Sequence, residues 1–262
     1  MNQRPEPATP RPSATILLMR DIPDFEVLMV KRHHQIDFAS GALVFPGGKI
    51  DPSDSHPAWS ELCFGLDSIS PEEAVLRIAA IREAYEEAGI LLARDQGGAL
   101  WSGNPLAIEA RDAVAKGQKP FLDLVMALDV RLDLLALTQF ARWITPVMMP
   151  KRFDTHFYLA AAPADQLAVC DGHETVDAEW VRPGDALDLA ASGQRTIIFP
   201  TRMNLKMLAE SENSQAAVDA SLVRPRVVVT PWVEKRDHGP VLVIPSDAGY
   251  GAIEEDLEST GT

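Results

Sequence analysis

The chain has 262 residues, with 24 Lys and Arg against 38 Asp and Glu, so its formal net charge is −14. Hydrophobic residues make up 46% and charged residues 24%, ordinary values for a globular protein long enough for one enlarged domain or two small ones. The acidic balance argues against nucleic acid or an anionic membrane as partner, since both call for a basic face.

No apolar run approaches the roughly 18 residues of a membrane span. Two cysteines, Cys63 and Cys170, make neither a disulfide framework nor a zinc cluster. With no apolar leader in the proline-rich start, a reducing cytoplasm is the expected setting.

In chain order, residues 1–12 carry Pro5, Pro7, Pro10 and Pro12 without apolar periodicity, and are expected to form a disordered arm. Residues 13–250 are expected to form a single domain. Ala14–Met19 and Phe25–Val30 are short β-prone runs around the turn signal Asp21-Ile22-Pro23-Asp24, which predicts a hairpin. Gly41–Phe45 reads as a further strand entering Pro46-Gly47-Gly48. A loop or loosely helical insertion follows at 51–70. Pro71–Ala88 is the best-defined helix: Ser70 is a natural N-cap, Pro71 suits the first helical position, Glu73 completes a capping box, and Gly89 supplies the stop.

A second, helix-rich insertion spans 104–137, broken at Gly117–Pro120. Strands are expected at Phe140–Ile144, Phe153–Ala160 and Val176–Val181, with short helices at Pro183–Ala191 and Thr201–Glu210. Arg226–Trp232 and Pro240–Ile244 read as final strands before an acidic tail at 251–262. Strands and helices mix without strict βαβ alternation, so the class is α+β or mixed α/β.

The chemistry concentrates on the capped helix. Glu83, Glu86 and Glu87 stand at i, i+3 and i+4, so their carboxylates share a face. Like charges at that spacing repel, and the negative end of the helix dipole is a poor place for them. Arg82 reaches Glu86 at i+4 but cannot neutralise three acids. A hard divalent cation held by oxygen, Mg²⁺ or Mn²⁺, would. Val75, Ile78, Ala79 and Ile81 form the opposite, sheet-packing side, which leaves the acidic face expected to look outward. A solvated acidic face or an assembly surface is the bland alternative.

Arg82-Glu83-x-x-Glu86-Glu87-x-Gly89 followed by Ile90 resembles the distal half of the Nudix box. Gly48 and Asp54 match the spacing of its proximal half, where Asp54 stands in the usual place of Glu. About twenty extra residues interrupt the box before Arg82. Because that insertion lies in the loop before the helix, it is expected to displace Asp54 more than the helix carboxylates. The interruption, with Arg142-Trp143-Ile144-Thr145-Pro146 and Arg152-Phe153-Asp154-Thr155, is most similar to the branch containing coenzyme A diphosphatase-type Nudix proteins.

The resemblance implies a Nudix-like α/β/α sandwich with a mixed central sheet, enlarged by the two insertions. It also implies hydrolysis of a small-molecule diphosphate by water attack on phosphorus. The implied substrate is coenzyme A or an acyl derivative; the alternatives are ADP-ribose, NADH or another nucleoside diphosphate derivative, or a module that senses a nucleotide without cleaving it. Glu83, Glu86 and Glu87 are the expected metal ligands, with a backbone carbonyl from Gly48. Arg82 orients them, and Glu83 joins Arg82 among the catalytic groups.

Family members often recruit a base from a distant loop, which nominates Glu174 in Asp171-Gly172-His173-Glu174. Gly47 is expected to serve the turn beside the substrate. Lys31 and Arg32, like Lys151 and Arg152, are either phosphate grips or solvated strand ends. Leu122, Val125, Met126 and Leu128 either line an acyl channel or are ordinary core. Cys63 has no positioned His partner and is not expected to act as a nucleophile. Many family members dimerise, so a homodimer is an expectation, though nothing in the sequence marks an interface.

Overall fold

Arg11–Arg20 forms β1, in which Ala14, Ile16, Leu17, Leu18 and Met19 are all fully buried. A strand without a solvent face needs a layer on each side. Successive side chains point to opposite faces, so Ile16 and Leu18 enter one core while Leu17 and Met19 enter another. The computed structural model describes residues 7–32, 41–102, 108–169, 175–237, 239–251 and 254–256, with the side chains of residues 32, 108–110 and 176 also outside the description.

The next strands are β2 (Glu26–Arg32), β3 (Leu43–Val44) and β4 (Gly47–Lys49), followed by a 3-10 turn at Pro52–Ser55, helix α1 (Trp59–Leu62) and β5 (Cys63–Phe64). Helix α2 (Pro71–Ala88) leads to β6 (Ala93–Arg94), α3 (Ile108–Ala115), α4 (Phe121–Ala127) and β7 (Arg131–Asp133). Strands β8 (Thr138–Ile144), β9 (Phe153–Ala161) and β10 (Thr175–Val181) precede α5 (Pro183–Ala191), α6 (Phe199–Leu208) and α7 (Ser214–Val223). The described chain closes with β11 (Val228–Val229), β12 (Trp232–Arg236), β13 (Gly239–Val243) and β14 (Glu254–Asp256).

The main sheet runs β10-β2-β1-β9-β8-β11, with β3 on β2 and β4 on β1. It is mixed: β1–β9 and β8–β11 are parallel, the other pairs antiparallel. Helices α2, α3 and α4 cover one face and α5, α6 and α7 the other. This is the expected sandwich. No described helix is long and apolar enough to cross a membrane.

The two insertions are one structure. Cys63 of β5 and Ala93 of β6 both pair with Leu132 of β7. Trp59 and Tyr85 each place their rings 5.8 Å from Phe121 of α4, which joins the insertion to α2. Leu122 and Val125 are therefore core, whereas Met126 is exposed.

Three expectations change. Arg11 and Pro12, expected in the arm, open β1, because the parallel partner β9 continues beside them. Residues 254–256, expected in the tail, form β14 on β13 despite their charges, because the pairing uses backbone groups. Helix α7 has no counterpart in the sequence reading; it is capped by Asn213, which accepts the Ala216 N–H at 2.9 Å.

Candidate active site

Local chemistry fixes both ends of α2. Ser70 Oγ accepts the Glu73 N–H at 3.2 Å, and Gly89, at φ +71°, turns its N–H back on Ala84 and Tyr85. The Glu73 carboxylate does not complete the box; it binds Arg77 Nε at 2.8 Å instead. The acidic face does not look outward either. Arg82, Glu83 and Glu87 are only 6%, 7% and 4% exposed. Strand β4 and the turn at Pro52–Ser55 pack over that face.

Arg82 is the hub beneath this cover. Its Nε and Nη2 reach the two oxygens of Asp54 at 2.9 and 3.0 Å, a bidentate grip across 28 residues. Nη1 touches Glu83 Oε1 at 2.8 Å and Glu86 Oε2 at 3.1 Å, and Nη2 also donates to the Lys49 carbonyl at 2.9 Å. The insertion therefore does not displace Asp54. A capping box within the insertion holds it: Asp54 Oδ2 accepts the Asp51 N–H at 2.8 Å, while Asp51 accepts from Ser53. Loop length costs little entropy, so the chain can leave and return with Asp54 already seated.

The two glycines serve close approach rather than turn conformation; neither has positive φ. A Cβ on Gly47 would lie 2.7 Å from both the Ala14 carbonyl oxygen and Thr15 Cα, and one on Gly48 would lie 2.6 Å from Glu83 Cδ. The Gly47 N–H donates to Glu87 Oε2 at 3.1 Å. Gly47 is thus part of the carboxylate scaffold.

One guanidinium contacts three acids, Asp54, Glu83 and Glu86, and Glu87 stands beside them on the Gly47 amide. Burial pushes Glu86 up to about 8, against the pull of Arg82 and with the push of Glu83 and Asp54. Burial alone would lower Arg82, but Asp54, Glu83 and Glu86 hold it above its ordinary value. Among the described residues no three acids or histidines already converge on one point; Arg82 Nη1 stands between Glu83 and Glu86. The donors that are present, carboxylates packed against Gly48, are of the oxygen class a hard divalent cation takes.

Glu174, His173 and Cys170 lie outside the described residues. The residues on either side do not. Val169 N–H donates to the Ala88 carbonyl at 2.9 Å, and Thr175 Oγ1 donates to the Glu87 carbonyl at 3.2 Å. Gln166 binds both backbone groups of Leu91, at 2.8 and 3.0 Å, and Arg111 of α3 binds the Val169 carbonyl. Both flanks of 170–174 are thus fastened to the last turn of α2 and the residues just beyond it. No spacing in the sequence announced Gln166, Thr175 or Arg111.

Lys31 is not brought to this face. It shares the parity of Val27 and Met29 and pairs across to Leu43, all in the core opposite α2. Arg32 is described only through its backbone, opposite Thr175. Arg152 is taken up by the carbonyls of Thr145 and Ala8, at 3.0 and 2.9 Å. Cys63 is buried, which pushes its thiol up to about 12, as inert as the sequence suggested.

Residues 63–208 match the family model described as the NUDT19 Nudix domain. Acyl-coenzyme A diphosphatase NUDT19 of Homo sapiens is 30% identical over 252 residues, covering 79% of this chain and 65% of the relative. Its Xenopus laevis namesake is 28% identical over 208 residues, covering 63% of this chain and 54% of the relative. The chain thus spans about two thirds or less of these relatives' length. Among solved structures, a NUDIX hydrolase from Alicyclobacillus acidocaldarius is similar at TM-score 0.73 and 31% identity, covering 81% of this chain and 96% of that one. With the box residues gathered around Arg82 and more than half of the chain matched, the protein belongs to the Nudix family, in the group defined by the NUDT19 Nudix domain.

Proposed function

We propose that this chain hydrolyses the diphosphate linkage of coenzyme A or an acyl derivative, by water attack on phosphorus, with Mg²⁺ or Mn²⁺. The observation that carries the chemistry is the buried Arg82 hub, with Asp54, Glu83 and Glu86 on one guanidinium and Glu87 on the Gly47 amide. Carboxylates gathered away from water are costly, and a hard divalent cation held by their oxygens offsets that cost. The substrate class is supported by the relatives named acyl-coenzyme A diphosphatase.

In this reading Glu83, Glu86, Glu87 and the Gly48 carbonyl hold the cation. Such an ion supplies positive charge that draws in the diphosphate, polarises the phosphoryl group and lowers the pKa of water. The chain's own part is positioning. Arg82, locked by Asp54, fixes Glu83 and Glu86, and the Gly47 amide fixes Glu87. Glu174 is the proposed base, supported by the fastening of Val169 and Thr175, on either side of residues 170–174, to the backbone at the end of α2. Two cysteines, one of them buried and inert, suit the reducing cytoplasm proposed as its setting.

Incubation with coenzyme A, an acyl-CoA, ADP-ribose and NADH, each with Mg²⁺ or Mn²⁺, tests the assignment. The expected products are 3′-phosphoadenosine 5′-phosphate and a phosphopantetheine. AMP from ADP-ribose, without 3′-phosphorylated products from coenzyme A, would reassign the substrate. Metal and nucleotide binding without turnover of any compound would make the protein a sensor.

A further inference from the structure

We propose that the cleft at the β8–β11 edge of the main sheet is a second anion site, for a small phosphate monoester carrying a flat apolar group. The register locates it. Gly48, Ala14, His156, Arg142 and Val228 lie side by side on β4, β1, β9, β8 and β11. At roughly 4.8 Å per strand, Arg142 is about 14 Å across the sheet from Gly48. The cleft opens where β8 and the segment after α7 separate, since β11 pairs only with Arg142 and Trp143.

Its chemistry contrasts with the rest of the molecule. Arg142, Arg224 and Arg226 line it, no Asp or Glu does, and the chain as a whole carries −14. Arg142 is committed to Asp154 through bonds of 2.8 and 2.6 Å. The other two keep capacity. Arg226 is exposed and donates to the neutral Gln139. Arg224 lines the cleft and meets the exposed Glu210 only at 3.6 Å. A guanidinium's donors match phosphate oxygens, so an anion between these two would be met by both side chains.

The apolar part of the ligand follows from Phe140, Met207 and Tyr250, which line the same cleft, with Arg224 centred 6.0 Å from the Phe140 ring. The volume, about 190 Å³, is below the roughly 300 Å³ at which drug-sized pockets begin. A phosphate with one ring fits this size; a whole dinucleotide does not.

Calorimetry on the full chain in EDTA, so that no cation serves the carboxylates, tests this with phenyl phosphate, inorganic phosphate and phenol. Phenyl phosphate is expected to bind at least ten-fold more tightly than either fragment. Arg224→Met/Arg226→Met is expected to lose at least ten-fold in affinity with an unchanged melting temperature. Should Arg224→Met disturb the packing over Phe140, the exposed Arg226→Met alone should still lose at least three-fold. The proposal is overturned if wild type does not bind phenyl phosphate, or if the variants bind it equally well. Metal-stimulated turnover that stays at the wild-type level in the double variant supports a separate site, whereas turnover lost together with binding overturns it.

Discussion

Arg82 and Arg236 each hold more than one carboxylate, yet they do opposite things. Arg236, on β12, reaches Glu234 at 2.5 Å and Glu254 at 3.1 Å on the small three-stranded sheet, with its side chain 38% exposed. Water screens those charges, and the partners lose little when parted. Arg82 holds Asp54, Glu83 and Glu86 with its side chain 8% exposed. There the desolvation of each ion must be offset by geometry, which the bidentate grip on Asp54 supplies. An arginine among acids is therefore uninformative until its burial is known. Buried, as Arg82 is, it marks a cluster held in fixed geometry; exposed, as Arg236 is, it is surface.

Substitutions sharpen the contrast, the largest effect first. Arg82→Met strands Asp54, at 1% exposure, with an uncompensated charge. It should cost about 3–5 kcal/mol in urea unfolding of the metal-free chain. A loss below about 1 kcal/mol would make the hub no different from a surface pair. Gly47→Ala drives a methyl into the Ala14 carbonyl and Thr15 backbone, which cannot yield without parting β4 from β1. A loss of about 1–3 kcal/mol is expected by thermal denaturation.

Gly48→Ala first meets the flexible end of Glu83. Stability should change by less than about 1 kcal/mol, while hydrolysis falls at least ten-fold because Glu83 is pushed off its position. Arg236→Ala should leave the melting temperature where it was. A clear drop would mean that exposed charge matters here as much as buried charge.

The sequence made legible what is decided locally. The ends of α2 could be read because Ser70 and Gly89 act within a few residues of themselves. The carboxylate row could be read because i, i+3 and i+4 share a face on any helix. Long-range partners could not. The Gly48–Asp54 spacing was visible, but not that Asp54 closes on Arg82, since that depends on how the insertion folds back. Nothing in the pattern around Arg111, Gln166 or Thr175 separates them from surface polar residues, because their partners are backbone carbonyls and amides of another element. Helix α7 escaped notice because Ser214–Val223 is mostly small residues without an apolar stripe.

Divalent-ion binding tests most directly whether the buried acids await a cation. Glu86 is raised from about 4.5 to about 8. A raised carboxyl stabilises the fold fully below its unfolded value, and that contribution disappears as pH climbs through about 8. The metal-free chain should therefore weaken between pH 5 and 8.5, and added Mn²⁺ should restore it. Titration calorimetry should show Mn²⁺ binding more tightly at pH 8.5 than at 6.5, with proton release at the lower pH. Glu86→Gln/Glu87→Gln should abolish binding and, at pH 8.5, leave the metal-free protein at least as stable as wild type. If wild type takes up no Mg²⁺ or Mn²⁺ at either pH, the buried carboxylates are structural and the diphosphatase reading is wrong.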